Sequence, residues 1–209
     1  MPTDPTQDDQ GQTRPGRTSG MIIVINGPFG VGKSVTAHLL VGRLAGAIVY
    51  DPEIIGFILR RVGRPLIKVA DYQDLALWRR LTIVGAWALR RPRRTLVIPM
   101  AIWRRDYFAH FVGGLRRVDP DVHRFRLTAT EETLRQRILA SSDQAARSWR
   151  LDHIKTGLAA AADPAFGTEV RTEGRTPAEV VDTVLHILEQ LKPATSQPTA
   201  TRRRDASDT

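Results

Sequence analysis

The 209-residue chain has no cysteine. That excludes disulfides, thiolate metal sites and cysteine nucleophiles together. Histidine is sparse: His38, His110, His123, His153 and His186 show neither metal-ligand spacing nor a Ser-His-Asp grouping, so each reads as a surface or core residue. No apolar run approaches the about eighteen residues of a membrane span. Residues 1–20 are polar and include Asp4, Asp8 and Asp9, unlike a secretory signal. A cytoplasmic protein is the expectation. Lysine is rare too, with only Lys33, Lys68, Lys155 and Lys192, yet Lys and Arg together number 31 against 22 acids, a net charge of +9. The excess is therefore arginine, whose planar fork suits phosphate and carboxylate. The charges are scattered along the chain, so a specific nucleic-acid or membrane-surface role ranks last. Such a role would predict affinity that falls steeply with salt.

Residues 1–20 and 193–209 are rich in Pro, Gly, Asp, Gln and Thr and lack apolar periodicity. They read as disordered tails around one domain, 21–192. The tails carry net charges of −1 and +1, so the core holds the full excess. The triplet Arg202-Arg203-Arg204 reads as a solvated tail.

The core alternates short apolar runs with helical periods, the pattern of a parallel α/β sheet. Strands are expected at 21–26, 47–50, 95–100 and 122–127, with a weak fifth at 169–172. Helices are expected at 33–44, 75–91, 107–117 and 131–139, the last capped by Thr128. In the second helix Leu77, Trp78, Leu81, Val84 and Ala88 share one face. The last helix opens on Thr176, Pro177 and Glu179, a cap, a first-turn proline and a capping-box acid. It turns Val180, Val181, Val184, Leu188 and Leu191 inward.

Between the first strand and helix lies Gly27-Pro28-Phe29-Gly30-Val31-Gly32-Lys33-Ser34. It fits G-x-x-x-x-G-K-[ST] in the strand-loop-helix context that the motif requires. A loop that wraps a phosphate with its N–H groups inward needs glycine at Gly27 and Gly32. The helix start adds unpaired N–H groups and a favourable dipole. Lys33 is placed to reach the β- and γ-phosphates, and the Ser34 hydroxyl to hold Mg²⁺. Gly27, Phe29, Gly30, Val31, Gly32, Lys33, Ser34 and Val35 are the candidate nucleotide contacts.

Asp51 follows the second strand, and ligands of open α/β sheets gather at the carboxyl ends of strands. Two roles fit it: general base for an attacking hydroxyl, or holder of the Mg²⁺ water shell. Asp-Pro is also a common turn cap. Glu53 either joins the site or caps a helix. Phosphoryl transfer needs positive charge around the migrating group. Arg137, on the helix after the fourth strand, and Arg147 and Arg150, in the polar stretch from Ser141, are the candidates. Residues 141–153 form a candidate lid that would exclude water. Arg79 is a candidate on the acceptor side. Trp149 either stacks on a ligand ring or packs. Phe57, Trp78, Trp87 and Trp103 are the candidate walls of the acceptor pocket.

Met21 to Lys33, Met-Ile-Ile-Val-Ile-Asn-Gly-Pro-Phe-Gly-Val-Gly-Lys, resembles the start of the tunicamycin-resistance ATP-binding proteins. The resemblance continues through Val49-Tyr50-Asp51-Pro52-Glu53, Ile55-Gly56-Phe57, Leu77-Trp78-Arg79, Ile98-Pro99-Met100 and Tyr107-Phe108. It returns at Glu132-Thr133-Leu134 with Arg137, and at Ser148-Trp149, and spans roughly residues 21–191. Residues 1–20 read as an extension before the family's start or as a misassigned start. The resemblance implies a P-loop NTPase three-layer sandwich with a parallel five-stranded sheet, similar to nucleoside kinases. It also implies ATP as the nucleotide and resistance to a nucleoside antibiotic. By that likeness Gly27 to Ser34 bind ATP, and Asp51 and Arg79 line the acceptor pocket. The family carries an arginine pair on the helix after the fourth strand. Here Arg137 is followed by Ser141, which leaves Arg147 or Arg150 to complete the pair.

The reading is an ATP- and Mg²⁺-dependent kinase acting on a small-molecule hydroxyl, such as that of a nucleoside antibiotic. A kinase of a nucleotide or sugar-acid metabolite, and a protein that sequesters a drug with ATP as a switch, are the alternatives. Oligomeric state is not legible.

Overall fold

The computed structural model describes residues 20–52, 76–91 and 94–191. The tails and most of the stretch between Asp51 and the second helix, including Glu53 and Phe57, lie outside the described residues.

Five parallel strands form one sheet in the order β2-β3-β1-β4-β5. They are β1 (Ile22–Asn26), β2 (Ala47–Val49), β3 (Thr95–Met100), β4 (Val122–Thr128) and β5 (Thr168–Arg171). The central strand pairs with β3 from Ile22↔Leu96 and with β4 from Ile22↔Val122. Its side chains alternate between two cores. Ile23 and Ile25 face one with Val97, Phe125 and Leu127. Ile22 and Val24 face the other with Leu96, Ile98 and Phe166. Both faces of β1 are sealed, which is why it reads as an unbroken apolar run.

The helices are α1 (Lys33–Arg43), α2 (Ala76–Leu89), α3 (Arg105–Val118), α4 (Glu131–Leu139), α5 (Arg147–Asp152), α6 (Ile154–Ala162) and α7 (Pro177–Leu191). A 3₁₀ turn at Pro164–Phe166 leads into β5. The chain leaves β1 toward β2, returns through β3, then crosses to β4 and β5. The direction of winding therefore reverses at β1, where α/β sheets open a crevice beyond their carboxyl ends.

Three local expectations change. The N-cap of α4 is Thr130, whose hydroxyl accepts from the Thr133 amide, and not Thr128. Thr128 is still in the strand, and its hydroxyl donates to Glu169 at 3.0 Å. The buried row of α2 is Trp78, Thr82 and Ala86, while Val84 and Ala88 are exposed. Four-residue spacing, with a threonine whose hydroxyl donates to the Trp78 carbonyl at 2.9 Å, makes a polar residue the inward one. Leu191, at the end of α7, is exposed. The start of α7 is as expected. The Thr176 amide donates to the Glu179 carboxylate at 2.7 Å, and the Glu179 amide to the Thr176 hydroxyl at 3.3 Å.

Tyr50 ties the end of β2 to α2. Its buried hydroxyl donates to the Thr82 carbonyl at 2.8 Å. Burial, and then the neighbouring Asp51 charge, push its pKa far above the ordinary tyrosine value. The sign follows from linkage. With the folded value raised, the unfolded chain loses this proton first, so stability holds below the unfolded pKa of 10.0 and declines as pH rises above it. Tyr50→Phe is expected to lower neutral-pH stability by about 1 kcal/mol. Urea melts from pH 8 to 11 should show a shallower alkaline decline for the variant. Parallel curves would remove Tyr50 as its source.

Candidate active site

The loop between β1 and α1 is fixed at both ends. Asn26 closes β1 by a reciprocal pair: its Nδ2 donates to the Ile102 carbonyl and its Oδ1 accepts from the Ile102 amide, both at 2.9 Å. Gly27 follows at φ 153°. A Cβ there would lie 2.7 Å from the Leu127 carbonyl oxygen, so glycine is required by contact as well as by conformation. Gly32, at φ 100°, turns the chain into α1, and its carbonyl accepts from the Thr36 amide at 2.9 Å. Helix α1 starts at Lys33, so the first-turn N–H groups open onto the concave side of the loop. The Lys33 side chain is largely buried. Its Nζ donates to the Pro28 carbonyl at 2.8 Å and lies 5.3 Å from the centre of the Phe29 ring.

Two cavities meet at this loop. One, of about 360 Å³, is lined by Phe29, Lys33, Ser34, Arg137, Ser141 and Arg150, among others. The other, of about 350 Å³, is lined by Val31, Thr36, Arg137, Thr172, Arg175 and Pro177, among others. Gly30, Gly32, Val35 and Arg137 belong to both, so the two form a continuous furrow over the start of α1. The structure thus gathers Phe29, Gly30, Gly32, Lys33, Ser34, Val35, Arg137 and Arg150 at one place. Val31 is fully buried beneath them, and Gly27 supports the loop from below.

The arginines divide by what holds them. Arg137 is fixed, its guanidinium donating to the Thr172 hydroxyl at 3.0 Å and the Thr172 carbonyl at 3.2 Å. Arg150 pairs with Asp143 at 2.6 Å and reaches the cavity beside Ser141. It thereby puts a cation next to Ser141. Arg147 turns away from that task and donates to the Ser141 carbonyl at 3.0 Å. The stretch proposed as a lid carries the short helix α5, and Trp149 within it packs at 5.1 Å against Phe29 of the loop.

Asp51 lies half-buried at the carboxyl end of β2, on the other side of β3 from the furrow, and lines neither cavity. Its backbone is held on both sides. Tyr50 is bonded to Thr82, and the Trp78 indole donates to the Pro52 carbonyl at 3.1 Å. Trp78 is therefore a buried brace for the chain after β2. Trp87 is 69% exposed and lies apart from the furrow, lining with Ile83, His110 and Gly114 a separate cavity of about 500 Å³ between α2 and α3. Trp103 stays near the site, 6.0 Å from Phe29. The Arg79 side chain and Glu53 lie outside the described residues.

Two contributions escaped the sequence reading. Thr172, Arg175 and Pro177, from the β5–α7 connection, complete the second cavity. Their signal was topological: a segment following a strand of a parallel sheet emerges on the ligand edge. His153, read as an ordinary surface or core residue, stacks on Trp149 at 4.4 Å.

The donors suit a triphosphate with Mg²⁺. Loop amides, a buried ammonium and two guanidiniums match phosphate oxygens. Among the described residues no group of three His, Cys, Asp or Glu side chains could hold a metal by itself. A hard cation held by one or two protein oxygens together with phosphate oxygens fits that donor set. No helix among the described residues is long and apolar enough to cross a membrane.

Residues 22–163, more than half of the chain, match an AAA-domain family. No curated protein matches the sequence. Among solved structures, a tunicamycin resistance protein from Deinococcus radiodurans is similar at 26% identity, with a TM-score of 0.64 and coverage of 81% of this chain and 96% of that one. A gluconokinase from Sinorhizobium meliloti 1021 is similar at 18% identity and TM-score 0.57, over 82% and 93% of the two chains. A shikimate kinase from Acinetobacter baumannii, in complex with shikimate, is similar at 13% identity and TM-score 0.57, over 83% and 95%. The last two share the fold: a parallel P-loop kinase-like α/β sandwich.

Proposed function

The chain belongs to the AAA-domain family, and within it we propose an ATP-dependent kinase that phosphorylates a hydroxyl of a small molecule. The observation that carries this reading is the convergence of Lys33, Ser34, Arg137 and Arg150 on one cavity at the start of α1. Three cations and a row of amides around one small space suit a transferring phosphoryl group better than a static anion site.

ATP seats its phosphates on the loop from Gly27 to Ser34. Lys33 meets the β- and γ-phosphates. Its adenine takes the second cavity, against the Pro177 ring. Ser34 and Asp51 would hold Mg²⁺, directly or through water, and the metal would supply charge neutralisation on the triphosphate. The acceptor hydroxyl attacks the γ-phosphorus, its proton passes to Asp51, and the bond to the β–γ bridging oxygen breaks to release ADP. Arg137 and Arg150 face the charge that develops on the migrating group. Glu53 and Arg79 are assigned to acceptor binding with Asp51. A cytoplasmic setting, where ATP is abundant, suits this chemistry.

For the acceptor we favour a nucleoside antibiotic such as tunicamycin, which would make the protein a resistance factor. The support is the resistance protein from Deinococcus radiodurans, similar over nearly all of its own length. The gluconokinase and shikimate kinase point instead to polyhydroxylated acids, so the acceptor panel must contain both classes. A coupled assay of ADP release tests the proposal. Mg²⁺-ATP with one panel member should give ADP at least tenfold faster than Mg²⁺-ATP alone. Equal rates with every hydroxyl compound would count against a kinase.

A further inference from the structure

Four rings from three chain segments meet over the phosphate loop. Phe29 comes from the loop itself, Trp103 from the segment after β3, and Trp149 and His153 from α5 and its end. Phe29 meets Trp149 edge-on at 5.1 Å and 62°. It meets Trp103 at 6.0 Å and 63°. His153 lies 4.4 Å from Trp149 and 5.6 Å from Trp103. One ring nitrogen of His153, Nδ1, is 2.7 Å from the Trp149 carbonyl oxygen. Trp103 has a rigid footing, because the residue before it is clamped by Asn26 at both its amide and its carbonyl.

Phe29 and Trp103 pack against the two cores of the sheet, whereas Trp149 and His153 belong to neither. Trp149 is 37% exposed, and α5 has no fully buried residue. A six-residue helix with so little burial has no stability of its own. Its position depends on a few contacts: Leu151 packs on the core, Arg150 pairs with Asp143, and the edge-on pairing of Trp149 with Phe29 reaches the phosphate loop. The residue after Trp149 is Arg150, which lines the phosphate cavity. Phe29 also touches Lys33 through its ring. The aromatic contact therefore links the two cations that approach the cavity from opposite sides, one on the loop and one on α5.

We infer that Trp149 is a positioning residue: its seat on Phe29 latches α5 to the phosphate loop and holds Arg150 in the cavity. This rests on the nucleotide site proposed above. Trp149 touches no reacting atom in this role and acts through Arg150.

A double-mutant cycle with hydrogen exchange tests it. Isothermal calorimetry in Mg²⁺ would compare β,γ-imido-ATP with ADP for the unaltered protein, Trp149→Ala, Arg150→Ala and the double variant. Arg150→Ala should weaken the imido analogue about tenfold and ADP less than twofold. Trp149→Ala should match it, since edge-on aromatic contacts of this kind account for a change of about that size. The double variant should be no weaker than Arg150→Ala by more than twofold, because the tryptophan acts through the arginine. Trp149→Phe, which keeps the ring contact, should restore binding. Independently of nucleotide, amides of residues 147–152 should exchange about tenfold faster in Trp149→Ala and at the unaltered rate in Trp149→Phe. Losses that multiply in the double variant overturn the action through Arg150. Unchanged exchange in Trp149→Ala overturns the latch while leaving the nucleotide site standing. Failure of the unaltered protein to bind either nucleotide removes the nucleotide site, and with it the role given to Trp149.

Discussion

Replacing Lys33 with methionine is expected to reduce phosphoryl transfer by about 10³-fold, with little change in thermal stability. The magnitude is that of removing a preorganised charge from a developing oxyanion. Methionine is chosen because it keeps an apolar stem. The Lys33 side chain is largely buried, with its ammonium 5.3 Å from the centre of the Phe29 ring, so a truncation to alanine would also leave a hole. The Lys33 ammonium bonds the buried Pro28 carbonyl, which also accepts from the Val31 amide at 3.4 Å and so keeps a partner in the variant. Turnover and the melting midpoint, measured on the same preparation, separate chemistry from folding. Turnover retained within tenfold would show that this loop does not carry the triphosphate in the manner proposed.

Asp51→Asn should lower turnover by about 10²- to 10⁴-fold, the range for losing a positioned general base. Affinity for ADP without Mg²⁺ should stay within about twofold, because Asp51 lines neither cavity at the phosphate loop. Asparagine has the shape of aspartate, and the backbone around residue 51 is held from both sides by Tyr50 on Thr82 and Trp78 on Pro52. The variant therefore changes a charge and a proton acceptor without releasing the chain. A kcat loss at constant nucleotide affinity marks a group used in the transition state. Full turnover by Asp51→Asn would take the base role away from this residue and leave it as a turn cap.

The parts of the site set by local backbone chemistry were legible in the sequence. Strand, glycine loop and helix start are encoded within thirteen residues, from Met21 to Lys33, so pattern and spacing sufficed. Arg137 was legible because α4 is short and its register follows from β4. Contacts between distant segments were less so. Arg147 and Arg150 are three residues apart in similar surroundings. Only the fold shows that one turns onto the Ser141 carbonyl while the other reaches the cavity. The wall made by Thr172 and Pro177 depends on β5 lying beside β4, a pairing across more than forty residues. The inner face of α2 was misassigned at Val84 and Ala88 because hydrophobicity alone favours them. The structure instead buries Thr82, whose hydroxyl and carbonyl are both satisfied. Helix α6 went unassigned, since its alanine-rich run has no strong amphipathic contrast; its small residues let it approach the phosphate loop closely, with Gly157 against Pro28.

The central claim is that the γ-phosphoryl group ends on a small-molecule hydroxyl, and mass spectrometry of the small molecules tests it most directly. The purified protein would be incubated with Mg²⁺-ATP and a panel of tunicamycin, other nucleoside antibiotics, nucleosides and sugar acids. The account predicts one compound that gains a single phosphate as an equal amount of ADP appears, and no such product with Lys33→Met. A panel member that binds tightly in the presence of ATP and is recovered unmodified, with no phosphorylated product from any compound, would contradict it and identify a protein that sequesters its ligand instead.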